Sequence, residues 1–157
     1  YYQPQLNHRH ELVGAEVLLR WLHPDLGFIS PDQFISLAEE TGLIVEIGTL
    51  IFKMAFKKIK VWQETGLLKP QQHISINVSP KQFERDNFFV LLSDILAETG
   101  ISANSVILEL TEGAFLTNID ATLEKIAPED RADWGSYYDH HPQVIAVRLN
   151  PRAHLQH

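Results

Sequence analysis

Cysteine is absent from the 157 residues, which removes disulfide frameworks, thiolate zinc sites and cysteine nucleophiles and leaves any metal to oxygen or imidazole ligands. Positive charge is scarce as well. Thirteen Lys and Arg against twenty Asp and Glu give a formal charge of −7, with no dense basic cluster, so a general binder of DNA or RNA, which needs a basic face to neutralise phosphates, is excluded. A small anionic ligand is not excluded, because one metal ion or one placed Arg supplies the charge locally. Long apolar runs are missing too. Glu46 and Lys53, Lys57, Lys58 and Lys60 break the most hydrophobic stretch, and nothing approaches the roughly 18 residues of a membrane span. Tyr1-Tyr2-Gln3-Pro4 holds neither an initiator Met nor a secretory signal, so the chain reads as beginning inside something longer. A cytoplasmic location is expected, either free or within a longer membrane-anchored protein.

What is present is an alternation of strand and helix patterns, the order that predicts a parallel sheet with helical crossovers. Residues 1–6 and 12–21 read as strands. Ser30-Pro31 starts a helix whose buried face is Phe34, Ile35, Leu37 and Ala38 and whose end is Gly42. A longer helix over 45–65 carries Ile47, Leu50, Ile51, Met54, Ala55, Ile59 and Trp62 at three- and four-residue spacing, with its lysines opposite, and Gly66 closes it. Residues 73–79 predict a strand, 80–99 a helix, 106–110 a strand, and the following stretch a helix to about Ile126. The texture then changes: no Lys and no Phe occur from Pro128 onward, and four of the eight histidines fall there. Only residues 144–149 look like a strand in that tail. The expected division is therefore 1–126 and a divergent 127–157, and the architecture is α/β, either doubly wound or part of a barrel.

Strand residues alternate between two faces. Gly14, Glu16, Leu18 and Arg20 share one face of the second strand. Ser75, Asn77 and Ser79 oppose Ile74, Ile76 and Val78, and Ile107, Glu109 and Thr111 oppose Val106, Leu108 and Leu110. Three successive strands thus each bring one oxygen ligand, Glu16, Asn77 or Glu109, to one face near the C-terminal end, where parallel-sheet proteins place their sites. Two carboxylates and an amide suit a hard cation such as Mg²⁺ or Mn²⁺, and the planar fork of Arg20 suits a phosphate. The plainer alternative for any one of the three is a solvated strand-end carboxylate or amide. Their repetition at matching positions argues for a site. His8, His10, His23 and His73 lack a shared ligand spacing and read as surface or loop residues. Asp139-His140-His141 reads as a solvated tail, since adjacent residues on a strand point apart. Glu39 and Glu40 are most simply a solvated helical face.

Gly14-Ala15-Glu16-Val17-Leu18-Leu19-Arg20-Trp21, followed by His23-Pro24, Gly27, Ile29-Ser30-Pro31, Phe34-Ile35, Ala38-Glu39 and Gly42-Leu43-Ile44, closely resembles the opening of the EAL-domain family of bacterial cyclic-di-GMP phosphodiesterases. Tyr2-Gln3-Pro4, Ile76-Asn77-Val78-Ser79-Pro80 and Glu109-Leu110-Thr111-Glu112 match later family motifs in order, and the resemblance covers about residues 1–125. It implies a partial TIM-type (β/α) barrel, roughly its N-terminal half, that binds cyclic-di-GMP and, with Mg²⁺ or Mn²⁺, hydrolyses one phosphodiester to pGpG. It further implies Glu16, Asn77 and Glu109 as metal ligands, Gln3, Leu18 and Arg20 as substrate contacts, Glu112 as a support for a later loop, and Glu39 as a packing or capping residue. Val17 stands where the motif usually has Ala, on the face away from the site.

The departures lie beyond Ile126. The family pattern continues with paired aspartates and a Phe-Gly-Thr-Gly loop, then a catalytic lysine, then further acidic and glutamine positions. None of these occurs in the tail, and no Lys follows Lys125. Two readings result: a phosphodiesterase domain fragment, or a degenerate, non-catalytic remnant serving as a nucleotide-binding or protein-interaction module. An open barrel edge also predicts association into a homodimer.

Overall fold

The computed structural model describes residues 1–111 and the backbone of 144–148. Strand β1 (Tyr2–Leu6) turns back into β2 (Leu12–Val17), and a short hairpin, β3 (Trp21–His23) and β4 (Gly27–Ile29), leads to helices α1 (Pro31–Thr41) and α2 (Ile44–Glu64). Strand β5 (His73–Val78), helices α3 (Pro80–Phe83) and α4 (Phe88–Thr99), and strand β6 (Val106–Thr111) follow, and β7 (Val144–Arg148) completes the sheet. The strand order is β1-β2-β5-β6-β7, parallel across β2-β5 and β5-β6 and antiparallel at β1-β2 and β6-β7. Two strand-to-strand steps with helical crossovers make this the expected partial α/β barrel. The strand expected near 144–149 is present and runs antiparallel to β6.

The core lies on the helical side of the sheet. Ile74, Ile76 and Val78 of β5 and Val106, Leu108 and Leu110 of β6 pack with Phe52, Ala55, Phe56 and Ile59 of α2 and Phe88, Leu92 and Ile95 of α4. This is the set the period-two reading assigns to the apolar face of β5 and β6. Beside them the Tyr2 ring meets Trp62 at 4.6 Å, edge to face, and burial pushes the Tyr2 phenol above its ordinary pKa.

Three expectations need correcting. Strand β2 ends at Val17 rather than Trp21: Val17 pairs with Tyr2 on one side and Ile76 on the other, and after the Leu18 N–H bond to the Tyr1 carbonyl the chain leaves for the hairpin. The helix expected over 80–99 is interrupted between Phe83 and Phe88. In one unbroken helix, residues five apart sit about 140° around the axis, whereas the break lets Phe83 and Phe88 stack at 5.5 Å with both rings buried. On the first two helices, Leu37, Leu50 and Met54 are exposed rather than buried. The faces turned to the core are Phe34 and Ala38 on α1 and Ile44, Gly48, Phe52, Ala55, Phe56 and Ile59 on α2.

Two glycines are required by close approach. A Cβ at Gly48 would collide with the side chain of Gln82, which is buried against α2. A Cβ at Gly14 would collide with the backbone carbonyl of His73, its register partner on β5, and a backbone atom cannot step aside as a side-chain end can. Gly14→Ala is therefore expected to spread the β2-β5 pair and cost about 1–3 kcal/mol, the usual range for overpacking, read as a lower midpoint in urea denaturation.

Candidate functional site

The face of the sheet turned away from the helices carries the polar side chains of alternate strand positions. Gln3 on β1 pairs in register with Glu16 on β2, Glu16 with Ser75 on β5, and Asn77 with Glu109 on β6. Gln5 Nε2 donates to Ser75 Oγ at 3.3 Å, so this side is polar below the site as well. At the C-terminal ends of these strands Asn77 Nδ2 donates to Glu16 Oε1 at 2.7 Å, bridging two strands. Glu109 is buried at 7% exposure, on the strand beside Asn77. The structure therefore brings Glu16, Asn77 and Glu109 to one end of three neighbouring strands.

A cavity of about 370 Å³ opens there, with Leu18, Arg20, Glu39, Asn77, Ser79 and Glu109 among its lining residues. Leu18 and Arg20 reach it from the irregular segment after β2, so the strand alternation that linked Arg20 to Glu16 does not extend that far. The exposed guanidinium donates through Nη1 to the Leu19 carbonyl at 2.8 Å. Gln3 is exposed and is not part of the cavity wall. Glu112 and Asp139-His140-His141 lie outside the described residues.

The donor set has the chemistry of a hard-cation site: carboxylate oxygens from Glu16 and Glu109, and an amide carbonyl that Asn77 presents once its amide turns over. Among the described residues no three His, Cys, Asp or Glu side chains converge, and the cluster here has two carboxylates and one amide. His73 is buried in β5 rather than in a surface loop, with the bare Gly14 as its register partner on the neighbouring strand. His23 is the last residue of β3, and its Nδ1 accepts from the Asp25 and Leu26 N–H groups of the hairpin turn.

The sequence reading passed over the bracing of the site's rim. Ser79 Oγ donates to Glu39 Oε1 at 2.7 Å, and Lys81 Nζ donates to the Glu39 carbonyl at 2.6 Å. Gln82 Oε1 accepts from the Ser79 N–H at 3.1 Å. Glu39 is thus a packing residue of the cavity wall rather than a solvated one. The Ser79-Pro80-Lys81-Gln82 spacing of a capping box was the available signal, although the reach across to α1 is tertiary.

A sheet with a polar, carboxylate-bearing face at the C-terminal ends of its parallel strands defines an α/β barrel-type module with its site at that end. The family model of the EAL domain matches residues 1–131, and the chain belongs to the EAL domain family. It is 36% identical over 124 residues to the bifunctional diguanylate cyclase/cyclic di-GMP phosphodiesterase MucR of Pseudomonas aeruginosa, covering 78% of this chain and 18% of MucR. It is 32% identical over 126 residues to the cyclic di-GMP phosphodiesterase PdeR of Escherichia coli, covering 80% of this chain and 19% of PdeR. The solved MucR phosphodiesterase, a complex with c-di-GMP, superposes with a TM-score of 0.74 at 35% identity, over 80% of this chain and 50% of that one. The chain thus spans about a fifth of the length of these two curated relatives and half of the solved one.

Removing the rim contact isolates its contribution. Ser79→Ala, which deletes the bond to Glu39 together with the capping hydroxyl of α3, is expected to cost about 1 kcal/mol, while Glu39→Gln keeps the cap and an acceptor and costs less. Paired denaturation curves of the two variants measure the difference.

Proposed function

We propose that this chain forms the metal- and phosphate-binding strands of an EAL-type phosphodiesterase that hydrolyses cyclic-di-GMP to pGpG. The supporting observation is the meeting of Glu16, Asn77 and Glu109 at one end of β2, β5 and β6, beside a cavity whose wall includes Arg20. The relatives named for cyclic-di-GMP phosphodiesterase activity favour this reading over a degenerate, non-catalytic remnant. Glu16, Asn77 and Glu109 would hold Mg²⁺ or Mn²⁺. Such an ion supplies Lewis acidity toward a phosphoryl oxygen.

The protein's own groups divide the remaining work. Arg20 sits in a loop rather than a strand, so its fork can swing from the Leu19 carbonyl onto two phosphate oxygens. Leu18 offers an apolar wall, and Gln3, in register with Glu16, supplies an amide at the edge of the sheet. Glu39 and Ser79 hold the wall beside Asn77. Glu112 would steady the loop beyond β6, and residues 127–157 would be a divergent tail that returns one strand, β7, to the sheet. No helix among the described residues is long and apolar enough to cross a membrane, and the reading places the domain in the cytoplasm, where a signalling nucleotide is made.

Calorimetric titration of cyclic-di-GMP into the full chain with Mn²⁺ tests the proposal. Saturable binding is expected. Because a charged hydrogen bond is worth about 1.5–3 kcal/mol, Arg20→Ala should weaken it roughly tenfold to a hundredfold. Glu16→Gln should abolish its dependence on Mn²⁺. Equal heats with and without nucleotide would overturn the reading, and nucleotide binding indifferent to Glu16 and Mn²⁺ would support the non-catalytic module instead.

A further inference from the structure

Helix α2 is apolar on two opposite sides. One side is the core stripe of Phe52, Ala55, Phe56 and Ile59. The other is made by Leu43, the residue capping the helix, with Leu50, Met54 and Val61, which are 52%, 58%, 63% and 48% exposed. At roughly 100° per residue these four fall within an arc of about 40°, opposite Phe52, and they extend about 27 Å along the axis. Solvated helix faces do not normally carry such a seam, and none of the four touches the cavity.

The seam has a twofold pattern. Residues 43 and 61 are equidistant from 52, and so are 50 and 54. An antiparallel pair of α2 helices, related by a twofold axis at the level of residue 52, sets Leu43 against the partner's Val61 and Leu50 against the partner's Met54. One pair of charges on a flank of the seam obeys the same symmetry, whereas Lys53, about 20° further out on that flank, comes near its own copy at the axis. Glu46 and Lys57 are eleven residues apart, so they lie on one flank about 20° from each other. A twofold axis perpendicular to the helices brings like flanks together, and Glu46 then faces the partner's Lys57 at nearly the same level.

The geometry points to self-association of this chain through the outer face of α2, as an antiparallel twofold pair. The interface is isologous, and its Glu46–Lys57 pairs favour a second copy over an unrelated apolar surface. One helix pair is at the small end of specific interfaces, so the dimer is weak and concentration-dependent. It is distinct from pairing at the edge of the sheet, which would use β1 or β7.

Sedimentation velocity of the full chain over about a hundredfold range of concentration reads the association. A monomer–dimer equilibrium is expected. Leu50→Lys, at an exposed position, should leave the thermal melt in place and abolish the dimer. Glu46→Lys and Lys57→Glu should each weaken it, and the two together should restore it, because the exchange re-creates the opposite-charge contact across the axis. Since the chain has no native cysteine, a mixture of Leu50→Cys and Met54→Cys should form mixed disulfides faster than either alone forms its own. A monomer at every concentration overturns the proposal, as does a dimer that survives Leu50→Lys, which would assign association to the sheet edge, or charge variants that fail to compensate.

Discussion

The burial of alternate residues on β5 and β6 against α2 and α4 is the constraint from which the rest follows. Ile74, Ile76 and Val78 enter the core together with Val106, Leu108 and Leu110. A slip of one residue in either strand would place Ser75 and Asn77, or Ile107 and Glu109, against phenylalanines, and burying an unpaired carboxylate or amide there costs several kcal/mol, of the order of 2–7 for a polar group. The hydrophobic register therefore sets the opposite face without any interaction made there. Asn77 comes level with Glu109 because Ile76 comes level with Leu108, and packing on the far side holds the donors in place.

This explains which parts of the molecule were legible in the sequence. Strands β5 and β6 alternate strictly, so their two faces and the placing of Asn77 and Glu109 could be read directly. Helix ends were legible where chemistry marks them, as at Ser30-Pro31 and at Gly42, whose φ of +81° is the left-handed conformation glycine favours. The faces of α2 were not, because two apolar stripes interleave along it and spacing alone does not say which one meets the sheet. Phe52 and Phe56 fill the volume above β5, and Leu50 and Met54 are left outside. The end of β2 was illegible for a related reason. Leu18 and Leu19 continue a strand-like composition, yet the ladder ends at Val17 and the chain turns off toward the β3-β4 hairpin.

The candidate site divides the same way. Its donors were visible as a repeated pattern, and the family resemblance named the same positions. The Glu39–Ser79 contact was not visible, since it joins residues forty positions apart whose separate patterns suggest only a helix surface and a helix cap. The buried place of His73 also escaped, because it depends on strand pairing that sets the bare backbone of Gly14 beside it.

That Glu39–Ser79 contact has a mechanical meaning. Ser79 follows the last residue of β5, two residues after Asn77, and caps α3, while Lys81 grips the carbonyl of the same α1 residue. Helix α1 is thus pinned at one point by a carboxylate and a carbonyl to the strand end that carries a site donor. A sideways displacement of α1 at the surface cannot be absorbed by sliding, as it could between two greasy faces. It must either break these directional bonds or tilt the end of β5, so α1 acts as a lever whose fulcrum sits at the mouth of the cavity.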